Sequence, residues 1–269
     1  MKVLRVTDNK LYTPVVGYRR NGLEVTAIGA IHIGSRDYYQ RLQREVDKHD
    51  EGFFEGLKPP RAGVVIPPER EIYLQRINLS ELYRTFSRYT GMVRQRDMLT
   101  YGVLWQNPDM TLDELVIAFP ERMLRKFSRQ TDTMEAFEEI YENHPEELAR
   151  FLKSLTLAIY KFPLVRNFVT RLILGHMSRK AILDQRNSML FDAVQPRLDN
   201  EDFSGLGITY GPQHLNGIEA YLKRNGFTRE GDFWFPAWEI TETPSFLKSL
   251  LTVLNDRAEE KTKRRNLRK

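Results

Sequence analysis

The chain has 269 residues, with 41 Lys and Arg against 36 Asp and Glu, a net charge of +5, 41% hydrophobic residues and 29% charged residues. That balance belongs to a globular protein and excludes disordered, collagen-like and coiled-coil classes. It contains no cysteine, which excludes a disulfide framework, a thiolate metal site and a cysteine nucleophile together, so any metal must be held by His, Asp or Glu.

The opening residues Met1-Lys2-Val3-Leu4-Arg5-Val6-Thr7-Asp8 hold no apolar run of signal-peptide length. Thr13-Pro-Val-Val-Gly-Tyr-Arg-Arg, Asn21-Gly22 and Leu23-Glu-Val-Thr-Ala-Ile predict a hairpin, because Asn-Gly accepts the positive φ angles of a type I′ turn. The second strand runs into Gly29-Ala30-Ile31-His32-Ile33-Gly34-Ser35, and a helix follows from Asp37 with Tyr39, Leu42 and Val46 as its apolar stripe. Gly52-Phe-Phe-Glu55-Gly56-Leu57 reads as a buried strand with a carboxylate at its exit, ended by Pro59 and Pro60.

Residues 72–194 are largely helical in pattern. Helix starts are expected at Ser80, at Thr111, whose Glu114 completes a capping box, and at Thr131. Asn143-His144-Pro145 marks a break between helices. The stretch 155–177 is the most apolar, but Lys161, Pro163, Arg166, Asn167 and Arg171 recur too often for a membrane span. A strand returns at Gly205-Leu-Gly-Ile-Thr-Tyr-Gly211, followed by a helix from Asn216 to Arg224 that stops at Gly226. Phe233-Trp-Phe and Trp238-Glu-Ile predict a late strand pair, and residues 245–254 a final amphipathic helix. Lys261, Lys263, Arg264, Arg265, Arg268 and Lys269 carry more than the whole net charge. Residues 255–269 therefore read as a frayed basic tail rather than a nucleic-acid face. The expectation is one domain over residues 1–269, cytoplasmic, with no transmembrane segment and no specific nucleic-acid partner.

Two histidines stand out. Gly29-x-x-His32 and Gly211-x-x-His214 each follow an apolar run and precede a helix, and each is followed seven residues after the histidine by a tyrosine, Tyr39 and Tyr221. Matching strand-to-helix turns predict two elements of one sheet, and ligands sit outside the carboxyl ends of such strands. Either histidine alone reads as a ring bonded to a nearby carbonyl. Together with Glu55 they make two imidazoles and a carboxylate, a ligand set for a catalytic divalent ion with one position left for water. Tyr38, Tyr39 and Tyr210 read as packing residues with a polar tip, and His49 and His176 as ordinary surface or helix-end histidines. Gly205-x-Gly207-x-x-x-Gly211 fails the dinucleotide pattern, since Asp199-Asn-Glu-Asp-Phe-Ser precedes it instead of an apolar strand. No Gly-x-Ser-x-Gly elbow and no His-Glu-x-x-His helix occurs.

Gly29-Ala-Ile-His32, Phe54-Glu55-Gly-Leu57, Gln185-Arg186-Asn187-Ser-Met189 and Gly211-Pro-Gln-His214-Leu215-Asn-Gly217-Ile218, in that order, resemble the TraB/PrgY/GumN group and its Tiki relatives. That group is marked by two Gly-x-x-His motifs, a glutamate after the first, and an arginine in an Arg-Asn/Asp-x-x-Met context before the second. The segment 99–115, with Asp109-Met-Thr-Leu-Asp-Glu-Leu115, is similar to the group's central segment. The chain departs from the pattern at Gly56, at Met189, which comes one position early, and at Pro212-Gln213.

The resemblance implies an α/β core with a helical insertion, shared with erythromycin-esterase-like and ChaN-like proteins. Tiki members are regarded as metal-dependent proteases, and PrgY and TraB members are linked to shutting off peptide pheromones. It implies His32, Glu55 and His214 as metal or catalytic residues, with Arg186 beside them. Without the resemblance, Arg186 is a surface arginine paired with Asp184 or Asp192. With it, Arg186 holds a substrate carboxylate or stabilises an oxyanion.

The expected fold is therefore α/β, a mixed sheet formed by the N- and C-terminal parts with a largely helical insertion over 72–194. The expected function is a metal-dependent hydrolase, peptidase-like, acting on a peptide or a small ester or amide. His32, Glu55 and His214 would bind Zn, Mn or Co, with Glu55 and Arg186 catalytic. The alternatives are a non-catalytic regulator binding a peptide, iron or haem, and a metal-free esterase-like hydrolase. The sequence leaves the oligomeric state open.

Overall fold

The structure, a computed structural model, describes residues 2–128, 137–161, 178–200 and 203–240. The fold class is α/β, as expected, and a seven-stranded mixed sheet organises it. Three strands come first, β1 (Arg5–Thr7), β2 (Lys10–Arg20) and β3 (Leu23–Gly29). The β2–β3 turn is the expected one, with Asn21 at φ 49° and Gly22 at φ 86°, both in the left-handed region that Asn and Gly tolerate. A two-residue strand, β4 (Ile33–Gly34), pairs outside the sheet with β6 (Val93–Arg94).

The rest of the main sheet is β5 (Glu51–Phe54), β7 (Leu104–Gln106), β8 (Gly205–Tyr210) and β9 (Thr228–Glu239). β3, β8, β5 and β7 lie side by side in that order, and every neighbouring pair among them is parallel. The two strands carrying the Gly-x-x-His turns are direct neighbours, with Gly29 opposite Tyr210.

Parallel strands are covered on both faces, and alternation along the strands supplies both coverings. Val16, Tyr18, Val25, Ala27, Leu206 and Ile208 face a cluster with Leu190, Val194 and Leu198 of the Ser178–Asn200 helix and Ile218 and Leu222 of the Leu215–Arg224 helix. Leu11, Val15 and Ile28 face the other way, onto Tyr38, Tyr39, Leu42 and Val46 of the Arg36–Val46 helix. The result is three layers with the sheet in the middle.

Three local expectations change. The late strand pair is one strand, β9, running antiparallel along β2. Pro236 inside it is accommodated because the register shifts beside it, between Leu11 and Tyr12 of β2, and because β9 pairs with no second strand among the described residues. The helical segment 72–194 also contributes β7 to the main sheet and β6 to the small one, because a three-residue strand is too short to register against helical periodicity. The helix expected from Ser80 starts at Leu79, since Asn78 Oδ1 accepts from the Glu81 N–H at 2.9 Å and so takes the capping role.

The Thr111–Glu114 capping box forms, and helices Glu138–Asn143 and Pro145–Lys161 meet at His144. Of the apolar stretch 155–177, Leu157 and Ala158 are buried. Residues 162–177 with His176, the start at Thr131, the helix over 245–254 and the tail 255–269 lie outside the described residues. No helix among the described residues is long and apolar enough to cross a membrane.

His49 is not the ordinary helix-end histidine of the sequence reading. Its ring lies against the backbone of Gly205 and Gly207, and both ring nitrogens are buried with no hydrogen-bond partner among the described residues. Burial holds its pKa below the ordinary value of 6.5. A histidine so depressed binds its proton more readily when unfolded, so its contribution to stability is present above about pH 6.5 and is lost as the pH falls through the folded pKa. Thermal melts at pH 7.5 and pH 5.5 check this: the fall in Tm on acidification is expected to be smaller in His49→Gln than in the parent, and equal falls refute the assignment.

Candidate active site at the ends of the parallel strands

Each of the four parallel strands delivers one polar side chain just past its carboxyl end. His32 follows β3, Glu55 follows β5, Asp109 follows β7 and His214 follows β8. Parallel pairing points all four strand ends the same way, which is why residues far apart in sequence gather here.

The His32 turn is held by the tyrosines of the following helix. Tyr38 Oη donates to the Gly29 carbonyl at 3.1 Å, and Tyr39 Oη to the Ile31 carbonyl at 2.7 Å. Their packing role is therefore confirmed, and their polar tips fix the loop. The His32 carbonyl accepts from the Gln95 N–H at 2.9 Å, and the imidazole lies 4.9 Å from the Tyr83 ring. His32, Glu55 and Arg186 line one cleft of about 550 Å³, with Phe54, Tyr83 and Tyr101 among its walls.

Glu55 is buried, and both of its oxygens are engaged. Oε1 takes Arg186 Nη2 at 2.6 Å, and Oε2 accepts from the Gly211 N–H. A Cβ at Gly211 would sit 2.8 Å from Oε2, so glycine is what admits the carboxylate. Burial alone pushes the Glu55 pKa up, but Arg186, His32, His214 and the Gly211 N–H outweigh it and hold the carboxyl at about 2.

Arg186 does not pair with Asp184 or Asp192. Its Nε donates to Asp109 Oδ1 at 2.8 Å, and its Nη2 reaches both Asp109 Oδ2 and Glu55. Burial works against its charge, yet Asp109 and Glu55 hold its pKa above the ordinary arginine value. Asp109 also accepts the Gly56 N–H at 3.0 Å and the Met110 N–H at 2.8 Å. Nη1 has no partner among the described residues, and Arg186 lines the cleft.

His214 is buried beside this triad. Its Nδ1 lies 2.7 Å from Asn187 Oδ1. An amide oxygen only accepts, so Nδ1 carries the proton and Nε2 is left as the acceptor of a neutral ring. Nε2 lies 3.7 Å from Glu55 Oε1. Burial lowers the His214 pKa, against the raising effect of Glu55. Gly217 matters here too, since a Cβ there would sit 2.3 Å from Asn187 Nδ2.

Of the residues read from the sequence, Glu55, Arg186 and His214 meet directly, and His32 lines the same cleft. The residues do not fit the expected three-ligand ion as they stand. Both Glu55 oxygens already hold donors, and among the described residues no group of three His, Asp or Glu side chains is placed to hold a metal ion.

Sequence reasoning missed Asp109 and Asn187 as site residues. Asp109 is preceded by Gln106-Asn107-Pro108 rather than by an apolar run, and the Thr111 capping box beside it already explained the string. Asn187 sits inside the quoted Arg186 motif, and its partner is 27 positions away.

Asp109→Asn leaves two backbone N–H groups and a guanidinium facing an amide that cannot accept from all of them. Removing one partner of a buried ion pair costs about 3–5 kcal/mol. A loss of that order is expected in urea unfolding, and an unchanged midpoint and slope would show that the pair is dispensable. No protein-family model, curated protein or solved structure matches the chain.

Proposed function

We propose that the protein is a hydrolase of esters or amides in which His214 activates a water, the metal-free alternative that the resemblance to erythromycin-esterase-like proteins allows. The observation that carries the reading is the pair of acceptors His214 Nε2 and Glu55 Oε1, 3.7 Å apart, with Nδ1 already committed to Asn187. Two acceptors this close can be bridged from one side by a molecule that donates to both, which is what an attacking water does.

Magnitudes choose the base. A carboxyl held at about 2 is a poor proton acceptor near neutrality, whereas a neutral imidazole is ready to accept. His214 Nε2 takes the proton of the water as its oxygen bonds to the carbonyl carbon. Glu55 orients that water and stabilises the imidazolium that forms. Arg186 Nη1 faces the negative charge developing on the carbonyl oxygen. The bond to the leaving oxygen or nitrogen then breaks, and the His214 imidazolium hands the leaving atom the proton it took from the water, with His32 lining the same cleft. No step requires an ion.

The test is turnover of a panel of p-nitrophenyl esters and aminoacyl p-nitroanilides in the presence of EDTA. His214→Gln is expected to lose about 10²–10⁴ in kcat/KM. Because His214 works unprotonated and its pKa lies below 6.5, kcat/KM rises with pH and levels off on the acid side of neutrality. Asn187→Asp puts a carboxylate on Nδ1, raises the imidazole pKa and moves that limb to higher pH. An unmoved limb removes His214 as the base. Activity lost to EDTA and restored by Mn or Zn replaces the scheme with the metal-dependent one, and no turnover in the parent leaves a binding protein.

A further inference from the structure

The cleft carries charge that the reacting groups do not use. Its lining holds the cations Lys58, Arg94, Arg96 and Arg186 against a single carboxylate, Glu55. Two of those cations are already answered. Arg186 meets Glu55 and Asp109, and Arg94 meets both oxygens of Asp97, at 2.5 and 2.9 Å. Arg96 Nη1 donates only to the Ser80 hydroxyl, at 3.1 Å, a neutral partner that leaves most of the guanidinium donors over. Neither Arg96 nor Lys58 meets a carboxylate among the described residues.

The backbone fastens both cations near the reacting groups. The Lys58 N–H donates to the Met110 carbonyl at 3.0 Å, and the Lys58 carbonyl accepts from the Leu112 N–H at 2.9 Å. Arg96 follows Gln95, whose N–H bonds the His32 carbonyl. Glu55 is buried and the Arg186 side chain is 18% exposed, whereas Lys58 is half-buried and Arg96 exposed. The reacting groups therefore lie deep, and the two uncommitted cations lie toward solvent. Much of the remaining wall is apolar, with Phe54, Ile77, Leu99, Leu112 and Leu115. Walls of low dielectric focus the field of such cations instead of letting water screen it. The volume of about 550 Å³ is that of a small-molecule site.

We propose that the cleft takes an amphiphilic anion, an ester or amide whose apolar chain ends in a carboxylate or phosphate held by Lys58 and Arg96. That the ester or amide end meets His214 rests on the hydrolase reading; the preference for an apolar chain with an anionic end does not. A neutral chain of the same length leaves both cations to water. A bare anion leaves the apolar wall uncovered. Each half of the recognition can thus be removed separately.

The experiment measures binding first. Octanoate, octyl phosphate, octanamide and acetate are titrated into the parent protein at low salt, below micelle-forming concentrations, and dissociation constants are read from saturation-transfer NMR. The tighter of the two long anions is expected to exceed octanamide about tenfold, on the scale of one charge-assisted hydrogen bond, and its identity names the end group. Octanoate should exceed acetate by at least about tenfold, since the chain buries apolar surface. Lys58→Gln and Arg96→Gln should each lower the anion preference about threefold, and added NaCl should lower it in the parent. Arg41→Gln, an exposed cation of the Arg36–Val46 helix outside the cleft lining, should leave it unchanged. Octanamide equal to both anions, acetate equal to octanoate, no binding of any probe, a preference unchanged in both cleft variants, or one lowered equally by Arg41→Gln overturns the proposal. Turnover of p-nitrophenyl octanoate and of mono-p-nitrophenyl suberate, the same chain ended by a carboxylate, is compared in parallel. A binding preference without turnover keeps the anion subsite and removes the hydrolase, and turnover without a binding preference does the reverse.

Discussion

Two buried carboxylates and one largely buried guanidinium tie the whole arrangement together. Asp109 follows β7, Glu55 follows β5, and Arg186 comes from the long helix that covers one face of the sheet. The desolvation of three charges is expensive, and the structure offsets it with geometry: a paired Arg186–Asp109 contact and backbone N–H groups of Gly56, Met110 and Gly211 on the remaining carboxylate positions. Every acceptor position described there is matched by a donor. That is the condition under which a buried ion cluster fixes one register of a helix against a sheet instead of merely weakening the core.

The same cluster divides the chemistry of the site. With two negative groups against one positive, the triad keeps a residual negative charge next to His214. That charge favours an imidazolium, but burial of the ring opposes it more strongly, and the ring rests neutral. Glu55 is pushed the other way by Arg186 and the two histidines. Neighbouring groups driven in this manner end in different protonation states at one pH, one as a fixed charge and one as a proton acceptor. Arg186, by contrast, is too fully compensated by carboxylates to be the anchor for a substrate carboxylate that its type alone suggests. What it retains for the cleft is a directed pair of N–H bonds.

The legible parts of the sequence are those decided by local chemistry. Asn21-Gly22 forces its turn, Thr111 and Glu114 cap their helix, and the glycines before His32 and His214 place both rings at strand exits. Glu55 was readable because an apolar run ended on a carboxylate. Asp109 comes after Gln106-Asn107-Pro108 instead, a strand of three residues among helices leaves no period to read, and the aspartate has a second, local explanation. His49 was misread because the helix end before it is exposed, while the glycines that receive its ring lie more than 150 positions later in the chain. Pro236, a strand breaker by type, is tolerated by an irregular register that only the β2 pairing reveals. In each case the deciding partner was tertiary.

The arrangement of backbone bonds explains why a site assembled from such distant pieces can hold a fixed geometry. Tyr39 pins the carbonyl before His32, Gln95 pins the carbonyl of His32 itself, and Thr209 pins the N–H of Glu55. The groups behind the cleft are thus fastened to the same peptide units as the groups that react, so a displacement of one moves the other. A ligand seated in the cleft would therefore meet His32, Glu55 and Arg186 held through a few rigid bonds rather than through mobile side chains. Positioning of that kind raises the rate of the chemical step as much as the affinity, because alignment obtained on binding need not be found again in the transition state.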